Sequence, residues 1–364
     1  MNIDEKLAKV CEGFCIKGTY IGHELIQVGN VNKTYRVKVL LPEGNEKSFL
    51  VQNLNTYVFK NPVKVMDNID KVTEHIRAKR PGQLALHFHH TKDRKTYIAD
   101  GKDFWRMSNF IPSVTHNVVK NLDVIRNAGR AFGEFQMELS DFDSTMLFET
   151  IPDFHNTAKR FDALAATVAA DPCGKVAEVQ EELDYLFSVR EQASRLTYLS
   201  QEGKLPLRVT HNDTKINNVL FDKDSGNALV VVDLDTVMPG LVGHDFGDAI
   251  RFAANFVEED CPDADKAGVN MDVFRAFAEG FLEKTAKTLT ETEIETLAWS
   301  SFVLTVELAV RFLDDYIQGS PYFKINYPEH NLVRTKCQIA LAKDMQKKMP
   351  EMEQIVRDCI AAIR

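Results

Sequence analysis

The sequence predicts an α+β protein of two lobes, a small β-rich lobe followed by a larger helical one. Three observations predict this fold class. Alternating apolar and polar residues dominate roughly the first hundred positions, which is typical of strands. From about position 121 onward apolar residues recur at helical spacing instead, and Pro112 lies near the change of pattern. We therefore expect an N-terminal lobe over residues 1–110, a hinge at about 105–112 and a C-terminal lobe over residues 111–364.

The elements of the N-terminal lobe follow from these patterns in order. Val65, Ile69, Val72 and Ile76 recur at helical spacing and predict a helix over residues 61–79. Strands are predicted where apolar and polar residues alternate in a stretch bounded by turn-forming residues. These stretches are residues 25–28, 34–40, 48–53, 84–89 and 96–100.

The C-terminal lobe is predicted to be helical apart from one hairpin. Amphipathic stretches predict helices over residues 121–139, 157–170, 176–200, 271–287, 291–318 and 331–363. Two short apolar segments, 218–221 and 229–232, flank the turn-forming residues 222–227 and predict the hairpin.

Composition excludes several classes of protein. The 44 basic and 53 acidic residues give a net charge of −9, which argues against nucleic acid as the main partner. The six cysteines include no Cys-x-x-Cys pair, so neither a disulfide scaffold nor a zinc site is indicated. The N-terminus has no apolar signal segment, and the longest apolar stretch, 297–310, is too short to cross a bilayer. We expect a cytoplasmic protein without membrane association, either a monomer or a weak homo-oligomer.

The segment from His211 to Asn218 carries side chains in the order that phosphoryl transfer needs. Asp213 is a candidate base for an attacking hydroxyl, and Lys215 is a candidate cation for the transferred group. Asn218 and Asp233 offer oxygen ligands for Mg²⁺, and the predicted hairpin brings them together. The competing interpretation is that these polar residues only form turns at strand ends.

Three further groups of polar residues have open interpretations. His211 is expected to steady the loop rather than to react, and Asp235 is either a metal ligand or a hydrogen-bond partner of one. Arg311 with Asp314 and Asp315 forms either an ion pair within a helix or part of a substrate site. His87, His89 and His90 lie on or next to a predicted strand. We expect them to belong to the surface of that strand rather than to a metal site.

These residues resemble the aminoglycoside phosphotransferase and choline kinase superfamily, whose members share a bilobal protein-kinase-like fold. More closely, the chain resembles bacterial N-acetylhexosamine 1-kinases. The resemblance covers nearly the whole chain and is carried by residues 29–35, 52–60, 131–136, 211–218, 233–240, 247–251 and 311–319.

The resemblance implies phosphorylation of the anomeric hydroxyl of GlcNAc or GalNAc, with ATP as donor and Mg²⁺ as cofactor. Asp213 would be the base, and Asn218 and Asp233 the Mg²⁺ ligands. The sugar pocket would be formed, beside Asp213, by Thr236, Phe252, Arg311, Asp315 and Tyr322. The nucleotide would be bound by Gly29, Asn32, Gln52 and the hinge residues Trp105, Met107 and Phe110.

Two features depart from the usual kinase pattern. Gly29 stands alone in its turn, beside Asn30 and Asn32, where a glycine-rich loop would cover the phosphates. Gln52 stands where most kinases have a lysine, which hexosamine kinases also tend to lack; candidate replacements are Lys38, Lys47 and Lys60. The alternatives are a kinase for another sugar, an aminoglycoside or a choline-like amino alcohol, and a nucleotide-binding pseudokinase.

Overall fold

A computed structural model describes residues 2–26, 32–116, 119 and 121–363. The N-terminal lobe contains a five-stranded antiparallel sheet with the strand order β1-β2-β3-β5-β4. The lobe is built, in chain order, from α1 (Ile3–Gly13), β1 (Thr19–Ile26), β2 (Lys33–Leu40), β3 (Glu46–Asn53), α2 (Pro62–Lys79), β4 (Ile98–Asp100) and β5 (Asp103–Asn109).

The two faces of this sheet are covered by different elements. On one face, apolar residues of α1 pack against alternate residues of the central strands, including Trp105 and Met107 of β5. The side chains between them point to the opposite face because successive residues of a strand alternate. Arg106 therefore faces α2 and the C-terminal lobe, and contacts Met66 of α2.

Most predicted elements of the N-terminal lobe are present, with one exception. The helix over residues 61–79 corresponds to α2, and the strands over 34–40 and 48–53 correspond to β2 and β3. The predicted strand over 84–89 is wrong: only Phe88 forms a bridge, to Ser108. Residues 27–31, which include most of the predicted asparagine-rich turn, lie outside the described residues.

After β5, the described residues between 110 and 121 lie outside the helices and strands, and the C-terminal lobe follows. Its helices are α3 (Leu122–Glu138), α4 (Thr157–Ala170), α5 (Gln180–Ser188), α6 (Arg190–Ala193), α7 (Arg195–Gln201), α8 (Val242–Ala253), α9 (Met271–Thr285), α10 (Glu291–Ile317) and α11 (His330–Ile363). Two small sheets pair β6 (Arg208–Thr210) with β9 (Met238–Gly240), and β7 (Val219–Phe221) with β8 (Ala228–Val231).

The predicted hairpin is present as β7 and β8, so the prediction that joins Asn218 to the region of Asp233 is confirmed at the level of the backbone. The predicted helices over 121–139, 157–170, 271–287, 291–318 and 331–363 are also present, whereas the stretch 176–200 is broken into three short helices. Helix α8 was not predicted. Every residue from Val242 to Arg251 is buried, and the stretch includes the polar residues His244, Asp245, Asp248 and Arg251 at helical spacing, a signal that the prediction did not use.

Helix α10 forms the centre of the C-terminal lobe. It packs against α4, α8 and α11. Among the described residues it is the one helix long and apolar enough to cross a membrane by length and composition, with a mean hydropathy of 1.4 over its apolar window. However, 89% of that window is buried inside the protein, which is the pattern of a core helix.

Glycines allow helices α3 and α9 to approach closely. A Cβ atom at Gly129 would lie 2.3 Å from the carbonyl oxygen of Phe277, and one at Gly280 would lie 2.0 Å from that of Arg126. Both distances are far below van der Waals contact with backbone atoms that cannot rotate away. The packing of α3, whose other side supports the catalytic region, therefore depends on these two glycines.

Candidate active site

The loop between β6 and β7 brings Asp213, Lys215 and Asn218 together at the junction of the two lobes. The Lys215 ammonium lies 2.9 Å from Asp213 Oδ1. The Asn218 side-chain amide donates to the main-chain oxygen of Asp213 at 2.8 Å and to its Oδ2 at 3.3 Å. Three side chains chosen from the sequence motif thus form one hydrogen-bonded unit.

The electrostatic environment keeps Asp213 ionised. Desolvation in the cleft raises the pKa of Asp213, but the charge and hydrogen bond of Lys215, followed by His211 and Asn218, outweigh it and lower the pKa below its ordinary value. Desolvation lowers the pKa of Lys215, but the negative charges of Asp213 and Asp248 outweigh this effect, so the pKa lies above its ordinary value. Both members of the pair are therefore charged at neutral pH.

Asp245 on α8 fixes the backbone of this loop. Its Oδ2 accepts from the main-chain N–H of His211 at 2.9 Å and from the Gln136 side chain at 2.6 Å. Its Oδ1 accepts from the N–H of Asn212 at 2.8 Å. These bonds hold Asn212 at a φ of 64°, a left-handed conformation that asparagine tolerates better than most residues. The orientation of Asp213, the next residue, is set by this buried carboxylate.

His211 has the structural role predicted for it. Its Nδ1 accepts the N–H of Asp213 at 3.3 Å, so the ring proton lies on Nε2, which donates to the carbonyl oxygen of Val232 at 2.9 Å. The ring thereby ties the catalytic loop to the strand end that precedes Asp233. Its carbonyl oxygen also accepts from the hydroxyl of Thr236 at 2.7 Å.

Asp233 lies at the end of β8 with a φ of 62°. The N–H of Val232 donates to the carbonyl oxygen of Asn218 at 2.9 Å, so the two predicted metal ligands meet at the open end of the hairpin. The Asp233 carboxylate has no hydrogen bond or ion pair to another described residue. Desolvation and then the carboxylates of Asp235 and Asp213 raise the pKa of Asp233 to about 6.

These residues fit a divalent cation that arrives with a nucleotide. A carboxylate without a partner, placed beside other carboxylates, is stabilised by a cation. No group of three or more histidine, cysteine or acidic side chains converges on a metal position among the described residues. Mg²⁺ in nucleotide sites commonly takes one or two protein ligands and completes its shell with phosphate oxygens and water, so Asn218 and Asp233 suffice.

The residues predicted to bind the nucleotide have different surroundings in the structure. Gln52 faces the cleft and donates to the Thr34 hydroxyl at 3.0 Å. The Asn32 side chain donates to Asp235 at 2.7 Å, which ties the end of its turn to the C-terminal lobe. Phe110 follows β5 and lies half-buried under the guanidinium of Arg36, 4.5 Å from its ring centre. Gly29 lies outside the described residues.

The side chains of Trp105 and Met107, two of the predicted hinge residues, point away from the cleft. Both lie in the core between the sheet and α1, with exposed fractions of 3% and 0%. Their main chain is also engaged, since the carbonyl oxygen of Met107 accepts the N–H of His89 at 2.8 Å. The strand continues to Asn109, so the chain leaves the sheet later than the predicted start of the hinge at 105.

The predicted acceptor residues lie on the other side of the catalytic loop. The Arg311 guanidinium is placed 5.5 Å from the ring centres of both Phe154 and Phe323 and has no hydrogen bond to another described residue. Tyr322, which neighbours Phe323, is 71% exposed. Phe252 is half-buried in the last turn of α8. The alternative of an ion pair between Arg311 and the aspartates of its own helix is wrong.

Asp315 is placed behind this pocket rather than within it. Its two oxygens accept from the N–H groups of Tyr322 and Phe323 at 2.8 and 3.0 Å, and Asn331 donates to it at 2.8 Å. The carboxylate is 4% exposed and its hydrogen-bonding capacity is largely used. The predicted contact between Asp315 and the substrate is therefore replaced by a role in shaping the segment that carries Tyr322.

A buried link connects Arg311 to the catalytic loop. One turn before Arg311 on α10, Glu307 accepts from Thr157 at 2.7 Å and pairs with His155 at 2.8 Å. The other ring nitrogen of His155 lies 3.3 Å from the carbonyl oxygen of Asn212. Although burial raises the pKa of Glu307, the charges of His155 and then Arg311 lower it to about 2. These contacts lead from the turn of α10 that precedes Arg311 to Asn212, the residue before Asp213.

The three histidines of the N-terminal lobe do not form a metal site. His87 pairs with Glu74 at 3.2 Å, His89 contacts Asn109 at 3.0 Å, and His90 pairs with Asp70 at 3.1 Å. Each ring has its own hydrogen-bond partner. The set joins α2 to the sheet, in agreement with the structural interpretation.

Several important residues carry no signal in the sequence. Asp245 lies on the unpredicted helix α8, and Arg106 alternates with apolar residues in a buried strand. Arg160 lies near Arg311, and its Nε is buried without a hydrogen-bond partner. The roles of these residues come from contacts between distant parts of the chain, which spacing along the sequence does not reveal.

Two lobes of this kind, meeting at a loop that positions Asp213 and Asn218, define a small-molecule kinase with a protein-kinase-like fold. The chain belongs to the phosphotransferase enzyme family, whose model matches residues 43–279.

Solved structures share the fold at low sequence identity. A microcompartment-associated aminopropanol kinase is similar with a TM-score of 0.62 and 14% identity, over 96% of this chain and 99% of its own. A choline kinase from Cryptosporidium parvum is similar with a TM-score of 0.57 and 14% identity, over 98% and 99% of the two chains. A spectinomycin phosphotransferase, solved with ADP and spectinomycin, is similar with a TM-score of 0.56 and 11% identity, over 94% and 98%.

Proposed function

We propose that the protein is an ATP- and Mg²⁺-dependent kinase that phosphorylates the anomeric hydroxyl of an N-acetylhexosamine, GlcNAc or GalNAc. The observation that carries this proposal is the Arg311 pocket. The Arg311 guanidinium lies between two aromatic rings and has no hydrogen bond to another described residue, and the Nε of Arg160 nearby is buried without a partner. Donors of this kind suit the hydroxyl and acetamido oxygens of a neutral sugar.

The charge of the pocket argues against amine acceptors. Arg160 and Arg311 are close enough that the charge of Arg311, after burial, lowers the pKa of Arg160. The nearby carboxylates of Glu307 and Asp315 are already paired or hydrogen-bonded inside the protein. A choline-like or aminoglycoside acceptor would bring positive charge to two arginines and find no free carboxylate among these residues, which would cost binding energy.

Aromatic side chains complete the proposed sugar site. Phe154 and Phe323 flank Arg311, and the Tyr322 ring lies 4.8 Å from that of Phe323. Their apolar surfaces suit the carbon–hydrogen face of a pyranose ring, while the arginines address its polar edge. This division between apolar and polar contacts is expected for a ligand that carries both surfaces.

The chemistry follows from the geometry of the catalytic loop. The acceptor oxygen forms a bond to the γ-phosphorus as the bond from that phosphorus to the β,γ-bridging oxygen breaks, and the hydroxyl proton moves toward Asp213 Oδ2. Lys215 holds Asp213 Oδ1 at 2.9 Å, and Asn218 donates to Oδ2 at 3.3 Å, so both oxygens are oriented. A bound Mg²⁺ supplies positive charge to the phosphate oxygens, and Asn218 and Asp233 would hold it. Asp213 acts mainly by positioning, because its pKa is low.

The experiment is an acceptor screen that measures ADP release by a coupled assay. The panel comprises GlcNAc, GalNAc, glucose, galactose, choline, ethanolamine and an aminoglycoside, each with MgATP. We expect turnover with an N-acetylhexosamine and little or none with the amines. Turnover confined to an amine acceptor would refute the assignment while retaining the kinase, and ATP binding without any acceptor would favour a pseudokinase.

A further inference from the structure

The lysines considered as replacements for the missing kinase lysine do not reach the cleft. Lys38 pairs with Glu24 at 2.7 Å. Lys47 and Lys60 lie over the rings of Phe49 and Tyr57, at 5.1 and 4.4 Å from the ring centres. All three have a partner within the N-terminal lobe.

Arg106 is a cation that does cross from the N-terminal lobe. It stands directly opposite Gln52 in the register of β3 and β5, and its Nε donates to Gln52 Oε1 at 2.9 Å. Its Nη1 pairs with Asp235 Oδ1, and its Nη2 donates to Asp235 Oδ2 at 3.2 Å. The side chains of Arg106 and Asp235 are only 2% and 5% exposed. This is a buried, two-pronged ion pair between the lobes.

Helix α2 does not supply the glutamate that such a cation meets in protein kinases. Its acids are engaged elsewhere: Asp67 pairs with Lys71, Asp70 with His90, and Glu74 with Arg77 and His87.

In place of a glutamate, α2 presents Asn68, which is fully buried. Its side-chain amide donates to the carbonyl oxygens of Val237 and Phe148 at 2.9 and 2.8 Å, and its Oδ1 accepts from the N–H of Phe148 at 2.8 Å.

The segment that carries Asp233 is therefore held from the N-terminal lobe at two points. Two and four residues beyond Asp233, Asp235 is bound by Arg106 and Asn32, and the carbonyl oxygen of Val237 is bound by Asn68. The chain from Asp233 to Val237 forms a single 3₁₀ turn, Leu234–Thr236, which contains the first of these points and ends just before the second. The N-terminal lobe, which would carry the nucleotide, thus sets the position of the turn directly.

We propose that Arg106 is a positioning residue that acts through Asp235 to fix Asp233 relative to the nucleotide phosphates. In protein kinases a lysine on the third strand and a glutamate on the helix form the ion pair that must be in place for catalysis. Here the pair spans the cleft and its acidic member lies on the metal-binding turn itself. The inference rests on the metal role of Asp233 in the proposed function, and is independent of which acceptor is used.

The test compares Arg106→Gln, Asp235→Asn and the double variant. Each single change leaves a buried charge without its partner and is expected to lower the melting temperature, because breaking one half of a buried pair is strongly destabilising. The double variant replaces the pair with two neutral amides. It also removes one charge of each sign, so any change in metal affinity reports position rather than net charge.

The readout is Mn²⁺ binding in the presence of a non-hydrolysable ATP analogue, followed by the electron paramagnetic resonance signal of free Mn²⁺. This binding measurement needs no acceptor, whereas kcat is measured with the acceptor that the screen identifies. For the double variant we expect Mn²⁺ affinity and kcat to fall by about 10–100-fold, the range for residues that orient metal ligands. Arg106→Lys keeps the positive charge but loses the bidentate guanidinium contact with Asp235. We therefore expect this variant to fold and to bind Mn²⁺ more weakly than the wild type.

The matched control is Arg130→Gln, which breaks an exposed pair with Glu283 at 2.7 Å and should leave Mn²⁺ binding unchanged. Wild-type Mn²⁺ affinity and kcat in both the folded double variant and Arg106→Lys would overturn the proposal and leave the pair a stability element only. Failure of the wild-type protein to bind Mn²⁺ with the nucleotide would instead overturn the metal role of Asp233. Failure to phosphorylate GlcNAc would affect neither conclusion.

Discussion

At the scale of single residues, Asp213 depends on partners that lie outside its motif. The motif itself supplies Lys215 and Asn218, which bond Asp213 directly. The loop conformation is set by Asp245, whose carboxylate accepts the two preceding main-chain N–H groups. The arrangement delivers an ionised carboxylate with one oxygen bonded to Lys215 and the other to Asn218, which suits the proposed base role.

Asp213→Asn tests the role of this carboxylate. The variant keeps the size of the side chain but cannot take up the acceptor proton, so kcat should fall by about 10²–10⁴-fold. Nucleotide affinity should be retained, because the proposed nucleotide contacts lie elsewhere. Steady-state rates and isothermal titration with an ATP analogue measure the two quantities. Asp224→Asn, in the exposed turn of the hairpin, is the control, and substantial residual turnover in Asp213→Asn would refute the base assignment.

Arg311→Met tests the sugar pocket. Methionine keeps the apolar stem between the rings of Phe154 and Phe323 but removes the donors. Charged hydrogen bonds contribute about 1.5–3 kcal/mol, so kcat/KM for the sugar should fall by about 10–100-fold while the KM for ATP is unchanged. Arg195→Met is the matched control, since Arg195 lies 5.3 Å from the ring centre of Trp299. Equal losses for sugar and ATP would contradict a role in acceptor binding.

At the scale of secondary-structure elements, the order of strands and helices could largely be predicted from the sequence. Periodicity identified α2, α3, α4 and the hairpin that joins Asn218 to the region of Asp233, because each of these elements exposes one face to solvent or has clear turn formers at its ends. Helix α8 was missed although His244, Asp245, Asp248 and Arg251 recur at helical spacing; these polar residues are buried and face other parts of the protein rather than solvent.

The candidate site could be predicted only where its parts are close in sequence. The catalytic loop and hairpin are local, and their main residues were identified. The Arg106–Asp235 pair joins residues 129 positions apart, and nothing in the spacing of either residue indicates the other. The burial of the Trp105 and Met107 side chains could not be predicted, because alternation along β5 does not reveal which face of the sheet borders the cleft.

Gly280→Ala tests how helix packing supports the C-terminal lobe. The added methyl group would lie 2.0 Å from the carbonyl oxygen of Arg126, so α3 and α9 must move apart. Although alanine favours a helix, we expect a net loss of about 1–3 kcal/mol in the free energy of unfolding, as is typical of overpacking. Denaturant unfolding measures this. Arg275→Ala, on the exposed side of α9, is the control, and a stabilised Gly280→Ala would contradict the close approach of the helices.

At the scale of the whole molecule, the two lobes are joined through the segment that carries Asp233. Arg106 and Asn32 hold Asp235, and Asn68 holds the carbonyl oxygen of Val237. On the far side of the catalytic loop, the link from Asn212 through His155 to Glu307 leads to the Arg311 pocket. One loop therefore connects a proposed nucleotide site above it to a proposed sugar site beside it.

The charge distribution around that loop underlies the central proposal. Beside this loop the carboxylate of Asp233, where a metal would bind, lacks a partner among the described residues, whereas the acceptor side presents Arg311 and Arg160. A neutral acceptor rich in oxygen atoms can accept hydrogen bonds from these arginines without adding a positive charge next to them. The charge distribution therefore supports the proposed sugar acceptor over an amine.

The most direct measurement is a phosphorus–proton correlation spectrum of the product formed from GlcNAc and MgATP. The proposed function predicts a phosphorus signal coupled to the anomeric proton, with ADP formed in equal amount. A phosphorus signal coupled to the C6 protons would contradict phosphorylation at the anomeric position. No sugar phosphate, together with a phosphorylated amine acceptor in the parallel reaction, would contradict the assignment of the Arg311 pocket to a sugar.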